Sequence, residues 1–265
     1  MRYIDSHAHY FDDRFTQEVA GGADALLASL FETELLAVIN VGTSPETTRA
    51  ALSQASRYCR MAVAGGIHPS DGQRLSDIPA ALDDLSVLLR DARIVALGEI
   101  GLDYHYEDTD RPLQLSLFHA QMELAQKTDL PIIIHDREAH GDVMDVVRAY
   151  PAVRGVFHSY SGSIEMAEEL VRRDYYISFS GTLTFKNARR VAEVAAALPH
   201  NRVLVETDCP YLAPHPHRGE LNHSGYLPLT LATLAALWGM DSDECAAVAV
   251  QNTETLFGIS RRLGL

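Results

Sequence analysis

The sequence predicts an α/β fold, a (β/α)8 barrel with a metal site at the C-terminal ends of its strands. Three observations predict it. Eight short β-branched or apolar runs alternate with longer segments of helical period, the pattern of βαβ units around a parallel sheet. The 265 residues match the roughly 250 that one such barrel takes. Imidazole and carboxylate side chains close several of the runs. No proline-rich, glycine/serine-rich or single-charge block divides the chain, so residues 1–265 read as one domain.

The first run, residues 2–5, leads straight into His7-Ala8-His9. The second covers 36–41 and is followed by Thr43-Ser44-Pro45. There Ser44 can cap, and Pro45 can open, a helix over 46–60. The third, 61–66, precedes a helix over 79–90. The fourth, 94–97, points at Glu99, and a helix over 112–128 repeats Leu113, Leu117, Ala120 and Leu124 close to a 3.6-residue period. Runs at 132–135, 155–158, 176–180 and 203–206 complete the eight, with helices over 138–150, 163–173, 187–198 and 227–238 after them. Residues 241–257 read as a terminal helix pair.

Composition narrows the function. Against 36 acidic residues stand 22 basic ones, a net charge of −14. That excess repels phosphate backbones and anionic lipid, so broad electrostatic binding to nucleic acid is not expected. It leaves nucleic acid open as a substrate, because bound cations reverse the local sign. Cys59, Cys209 and Cys245 are odd in number and form no CxxC pair, so no disulfide framework is expected. The N-terminus lacks a signal-peptide apolar stretch, and no apolar run approaches the ~18–20 residues that span a bilayer. The expectation is a cytoplasmic protein with no membrane contact and no obligate protein partner.

The chemistry sits at the strand ends. Residues i and i+2 of a strand share a face, so His7 and His9 can reach one ion. Alone this pair is weak evidence, since His215-Pro216-His217 repeats it in a proline-rich loop. Position strengthens it: Glu99, His135, His158 and Asp208 also end or follow strands, and a barrel gathers those ends on one face. Four histidines and two carboxylates suit Zn²⁺, Mn²⁺, Fe²⁺ or, less well, Mg²⁺. Six ligands exceed the needs of one open ion, so two divalent ions are expected. Such a pair needs a bridging anion. The chain has only two lysines, Lys127 in a helix and Lys186 after strand seven, so a carboxylated lysine on strand four is excluded and Glu99 is the candidate. His68 should face the site mouth as a substrate contact or a helix cap. One of Asp103, Tyr104 and His105 should orient a ligand imidazole. Arg218 and Asn222 are candidates for the substrate cleft or for loop stabilisation.

The motifs Ile4-Asp5-Ser6-His7-Ala8-His9, Gly66-Ile67-His68-Pro69 and Gly98-Glu99-Ile100-Gly101-Leu102-Asp103-Tyr104-His105 occur in order. They are followed by Pro131 to His135 with Asp136-Arg137-Glu138-Ala139, by His158-Ser159-Tyr160-Ser161-Gly162, and by Glu206-Thr207-Asp208-Cys209-Pro210-Tyr211-Leu212. Together they resemble the TatD-like metal-dependent hydrolases, a branch of the amidohydrolase barrels known as deoxyribonucleases. The resemblance implies that His7, His9 and Asp208 hold one ion and His135 and His158 the other, with Glu99 bridging. It implies hydrolysis of DNA from single-stranded ends, in the manner of a 3′–5′ exonuclease. A divalent pair would activate a water at neutral pH, and Asp208, able to bind one ion and still reach that water, is the expected general base or acid. One segment departs from the family. Where members carry an Arg-Gly-Lys-Arg-Asn-Glu-Pro type of sequence, this chain has Arg218-Gly219-Glu220-Leu221-Asn222-His223-Ser224, without the paired basic residues. That loss, with the acidic charge, keeps a small-molecule amidase, lactonase or phosphoesterase as the alternative.

Overall fold

A computed structural model describes residues 1–264. Among these, eight parallel strands pair in sequence order in one sheet. They are β1 Tyr3–Ala8, β2 Leu35–Gly42, β3 Met61–Gly65, β4 Ile94–Asp103, β5 Ile132–Arg137, β6 Gly155–Phe157, β7 Tyr176–Phe179 and β8 Val203–Val205. The sheet curls until β8 meets β1. There the Ser6 hydroxyl donates to the Val205 carbonyl at 2.8 Å and Ala8 bridges to Cys209. The result is a (β/α)8 barrel.

Helices fill the connections: α1 Asp13–Glu18 and α2 Gly22–Phe31 after β1, α3 Pro45–Ala55 after β2, α4 Pro69–Gly72 and α5 Ile78–Leu88 after β3. Then come α6 Arg111–Thr128, α7 His140–Ala149, α8 Ile164–Arg172 and α9 Arg189–Ala197. After β8 follow α10 Leu227–Trp238, α11 Ser242–Phe257 and α12 Ile259–Leu263. The start of α3 is a reciprocal cap, with the Ser44 hydroxyl accepting from Thr47 N–H at 3.1 Å and Pro45 in the first turn.

The strands are buried on both faces, which is why their sequences run apolar without a polar alternate. Ile4, Ala37, Ile39, Val41, Ala62, Ala64, Val95, Ile133 and Leu204 form a buried cluster with Leu256, Phe257 and Ile259 from α11 and α12. Val38, Val63, Ile132, Ile134, Ile177 and Val203 belong to a second cluster shared with the helices. The two-residue period separates the two sets along each strand. Each buried Val, Ile, Leu or Phe among them stabilises the fold by about 1.5–3 kcal/mol relative to exposure.

Three expectations change. Strands β6, β7 and β8 each stop one residue short of their apolar runs, whereas others run past them, β1 through the first site histidine to Ala8, β4 to Asp103 and β5 to Arg137. There the ladder carries polar residues because the site needs their side chains. Helices α1, α2 and α4 are additions to the expected set: α1 and α4 are short, and the Gly21-Gly22 pair at the start of α2 reads as a turn. The segment 241–257 is one helix rather than a pair. Gly258 stops it in the left-handed region, at φ +61°, and the next helix begins beyond.

Candidate metal centre

The C-terminal ends of five strands deliver the six expected side chains to one point. His7 and His9 come from the end of β1, Glu99 from within β4, His135 from β5, His158 from just beyond β6 and Asp208 from beyond β8. His7 and Glu99 are buried, and Asp208 keeps 14% of its side chain exposed. His7 Nε2 and His9 Nε2 lie 3.1 Å apart. Glu99 Oε2 is 3.3 Å from the former and 3.7 Å from the latter. Asp208 Oδ1 is 3.7 Å and 3.3 Å from the same two atoms. Ligand atoms held tetrahedrally at about 2.0–2.1 Å from an ion stand about 3.3–3.4 Å from each other. His7 Nε2, His9 Nε2 and Asp208 Oδ1 therefore lie close to the spacing of a coordination shell, with Glu99 Oε2 beside them.

The other oxygen of the same carboxylate faces a second group. Glu99 Oε1 lies 2.8 Å from His135 Nδ1 and 2.8 Å from His158 Nε2, which are 3.2 Å from each other. Burial alone would push the Glu99 carboxyl up, but the imidazoles of His158, His68 and His135 hold it well below the ordinary carboxylate range. Burial also opposes charge on His158, yet Glu99 and Glu206 raise it well above the ordinary histidine value.

Outer partners decide which ring nitrogen turns inward. His9 Nδ1 lies 2.7 Å from the Val41 carbonyl, which can only accept. His9 Nδ1 therefore carries a proton, which leaves Nε2 as the nitrogen that can offer a lone pair to a bound ion. Glu206 Oε1 takes the same role toward His158 Nδ1 at 3.2 Å and also accepts from Ser159 N–H at 2.6 Å. Asp103 Oδ2 stands 3.3 Å from His135 Nε2, beyond good hydrogen-bond alignment, so that nitrogen is buried without a bonded partner. His7 Nδ1 is buried without a partner as well. What fits divalent cations is the inward donor set itself: imidazole nitrogens of His7, His9, His135 and His158 and carboxylate oxygens of Glu99 and Asp208, gathered with neighbouring atoms 2.8–3.7 Å apart, are the ligand types such ions take. Among Asp103, Tyr104 and His105, it is Asp103 that faces a ligand imidazole. Glu206 was not singled out as a candidate, although its place at the end of the eighth run was the available signal.

The remaining candidates divide. His68 Nδ1 accepts from Ser70 N–H at 3.2 Å, capping α4, while its Nε2 stands 3.7 Å from Glu99 Oε1. Burial and the adjacent His135 push its pKa down to about 3, so it is neutral with Nε2–H directed at the site. Of the two expected roles, the structure shows the helix cap. Arg218 is exposed and lies 4.2 Å from the centre of the Phe185 ring, at the rim. Asn222 is a correction: fully buried, its amide donates to the carbonyls of Thr207 at 2.8 Å and Tyr211 at 2.6 Å. It braces the loop that carries Asp208 and has no free donor for a substrate.

A family model described as TatD related DNase matches residues 4–258. The chain belongs to that family. The TatD relatives extend over its whole length. The uncharacterized metal-dependent hydrolase YabD of Bacillus subtilis is 34% identical over 259 residues, covering 97% of this chain and 99% of its own. The uncharacterized metal-dependent hydrolase TatD of Mycobacterium tuberculosis is 33% identical, covering 97% and 98%. The crystal structure of YjjV, a TatD homologue from Escherichia coli, superposes with a TM-score of 0.88 at 32% identity, covering 97% of this chain and 98% of that one. The protein is a metal-dependent hydrolase of the TatD family.

Proposed function

We propose that this TatD-family hydrolase cleaves phosphodiester bonds of DNA from single-stranded ends, at a centre of two divalent ions. The observation that supports the pair is the two-sided Glu99 carboxylate, with Oε2 toward His7 and His9 and Oε1 toward His135 and His158. His7, His9 and Asp208 would hold one ion, His135 and His158 the other, and Glu99 both. Bound there, divalent ions would polarise the scissile ester and acidify a water molecule.

The chain's own groups supply the rest. Asp208 Oδ1 is committed to the histidines, while Oδ2 has no protein partner among the described residues. Being the more exposed of the two carboxylates, Asp208 can take the proton of the attacking water at Oδ2 and return it to the leaving oxygen. His68 Nε2–H is placed to donate a hydrogen bond to a substrate oxygen that approaches Glu99. Arg137 at the end of β5 and Arg218 at the rim are exposed and cationic, suited to phosphates on either side of the cleaved bond. Such a mouth admits a splayed strand more readily than a duplex.

Digestion of single-stranded and duplex DNA, against a panel of carboxylic esters, lactones, amides and small phosphoesters, tests the reading with Mg²⁺, Mn²⁺ and Zn²⁺ in turn. Metal-dependent shortening of single-stranded DNA is the expected result. Turnover confined to small esters or amides would show instead an enzyme of small molecules on the same centre.

A further inference from the structure

Among the described residues, three large apolar or aromatic side chains are strongly exposed: Val87, Tyr106 at 52% and Tyr211 at 46%. Both tyrosines stand on the face that carries the metal centre. Tyr106 follows β4 and Tyr211 follows β8, and strands four places apart in an eight-stranded barrel lie across the mouth from one another.

Neither ring stands alone. The Tyr211 hydroxyl donates to Asp12 Oδ2 at 2.7 Å, and the Arg14 guanidinium sits 5.9 Å from its ring centre. Its backbone N–H donates to the Asp208 carbonyl at 3.0 Å, and its ring centre is 6.4 Å from that of His9. Tyr106 has Arg137 at 5.6 Å and His105 edge-on at 5.2 Å, and it forms one wall of a cavity of about 430 Å³. Tyr211, pinned by its hydroxyl and left with a face in water, has lost its rotamer freedom before any ligand arrives, which is the property of a stacking platform. Tyr106 is flanked by Arg137 and His105 without such a pin, so its share should be the smaller. The charge gives a reason for one. At −14 the molecule cannot draw a polynucleotide by its overall field, whereas stacking acts on the π-face of any base and needs no net charge.

We infer that Tyr211 and Tyr106 are base-stacking platforms on opposite sides of the metal centre. Tyr211 takes the base nearest the cleaved phosphate, and Tyr106 takes a base of the strand leaving across the mouth. This rests on the nuclease reading above, and the test separates the two.

Two single-stranded oligonucleotides of one length are digested. One is natural; the other carries base-free tetrahydrofuran sugars in place of the three terminal nucleotides at both ends. The wild-type enzyme should favour the natural strand by about 5- to 150-fold in KM, the range that base–aromatic stacking of about 1–3 kcal/mol gives. Tyr211→Ala should lose most of that preference with kcat changed only a few-fold, and Tyr211→Phe should keep it. Tyr106→Ala should lose a smaller share. Wild-type cleavage in which neither alanine variant alters the preference for bases overturns this inference and leaves the nuclease reading standing. So does an equal rise of KM on both oligonucleotides, which marks a structural role. A wild-type enzyme that cuts neither strand with any ion overturns both.

Discussion

At the residue scale two of the inward-facing imidazoles, His9 and His158, are oriented by outward acceptors, the Val41 carbonyl and Glu206. Asp208 differs from both, since one of its oxygens has no protein partner among the described residues. Replacing Asp208 by Asn should lower kcat by about 10²- to 10⁴-fold at saturating metal, the usual span of a general acid–base group, with an unchanged circular dichroism spectrum. A rate within threefold of wild type would remove Asp208 from proton transfer. Glu206 acts one layer out. Glu206→Gln weakens the acceptor that orients His158 and should reduce metal affinity by about 10- to 100-fold in calorimetric titration. The difference in legibility between these two is instructive. His7, His9, Glu99, His135, His158 and Asp208 stood out in the sequence because polar groups interrupt apolar runs where a core would otherwise continue. Glu206 interrupts its run in the same way, but it lies beside Asp208, and spacing cannot say which of two neighbouring carboxylates turns inward. Asn222 was misleading for the opposite reason. A polar residue in a rim segment looks available until its amide is found on two backbone carbonyls.

At the scale of elements, one buried knot ties the two ends of the barrel together. Asp5 of β1 accepts from the Thr207 N–H at 3.0 Å, the Thr207 hydroxyl at 2.6 Å and the Ser224 hydroxyl at 2.6 Å. Ser224 N–H in turn donates to the Tyr10 hydroxyl at 3.0 Å. The knot joins the strand that carries His7 and His9 to the loop that carries Asp208, and its Asp5 carboxyl is pushed up to about 6 by burial against those donors. Ser224→Ala removes the hydroxyl that donates to Asp5 and lies 2.8 Å from the Tyr10 hydroxyl, leaving both short of a partner in the core. It should destabilise the fold by about 1–3 kcal/mol, read as an earlier denaturant midpoint at unchanged slope. Metal affinity should fall with it, because the two loops then hold their relative position less firmly. An unaltered midpoint would mean that the knot is not what closes the barrel. Sequence periodicity could not have shown this contact, which links residues about two hundred positions apart. What periodicity could show, it did: eight buried parallel strands read as β-branched runs. It stopped short where β4 and β5 leave the apolar pattern to carry Glu99, Asp103 and His135.

For the whole molecule the decisive fact is that its most concentrated charge is internal. Four imidazoles and two carboxylates converge at the barrel mouth, with Glu99 Oε1 only 2.8 Å from both His135 Nδ1 and His158 Nε2. Ions that bind only the folded state stabilise it by RT ln(1 + [L]/Kd), about 2.7 kcal/mol at a hundredfold excess over Kd. For a chain somewhat above 150–250 residues, each kcal/mol moves the melting temperature by about 2–4 °C. Stripping the protein with a chelator should therefore lower its melting temperature by about 5–10 °C, and Zn²⁺ or Mn²⁺ should restore it. Glu99→Gln should weaken that recovery more than loss of any single histidine, because Glu99 is the one side chain that faces both groups of ligands. A His7→Ala variant should still respond to metal through His135 and His158. If Glu99→Gln recovers as fully as wild type, the carboxylate does not bridge two ions. Removing either histidine group should then abolish the whole response, as a single ion would require.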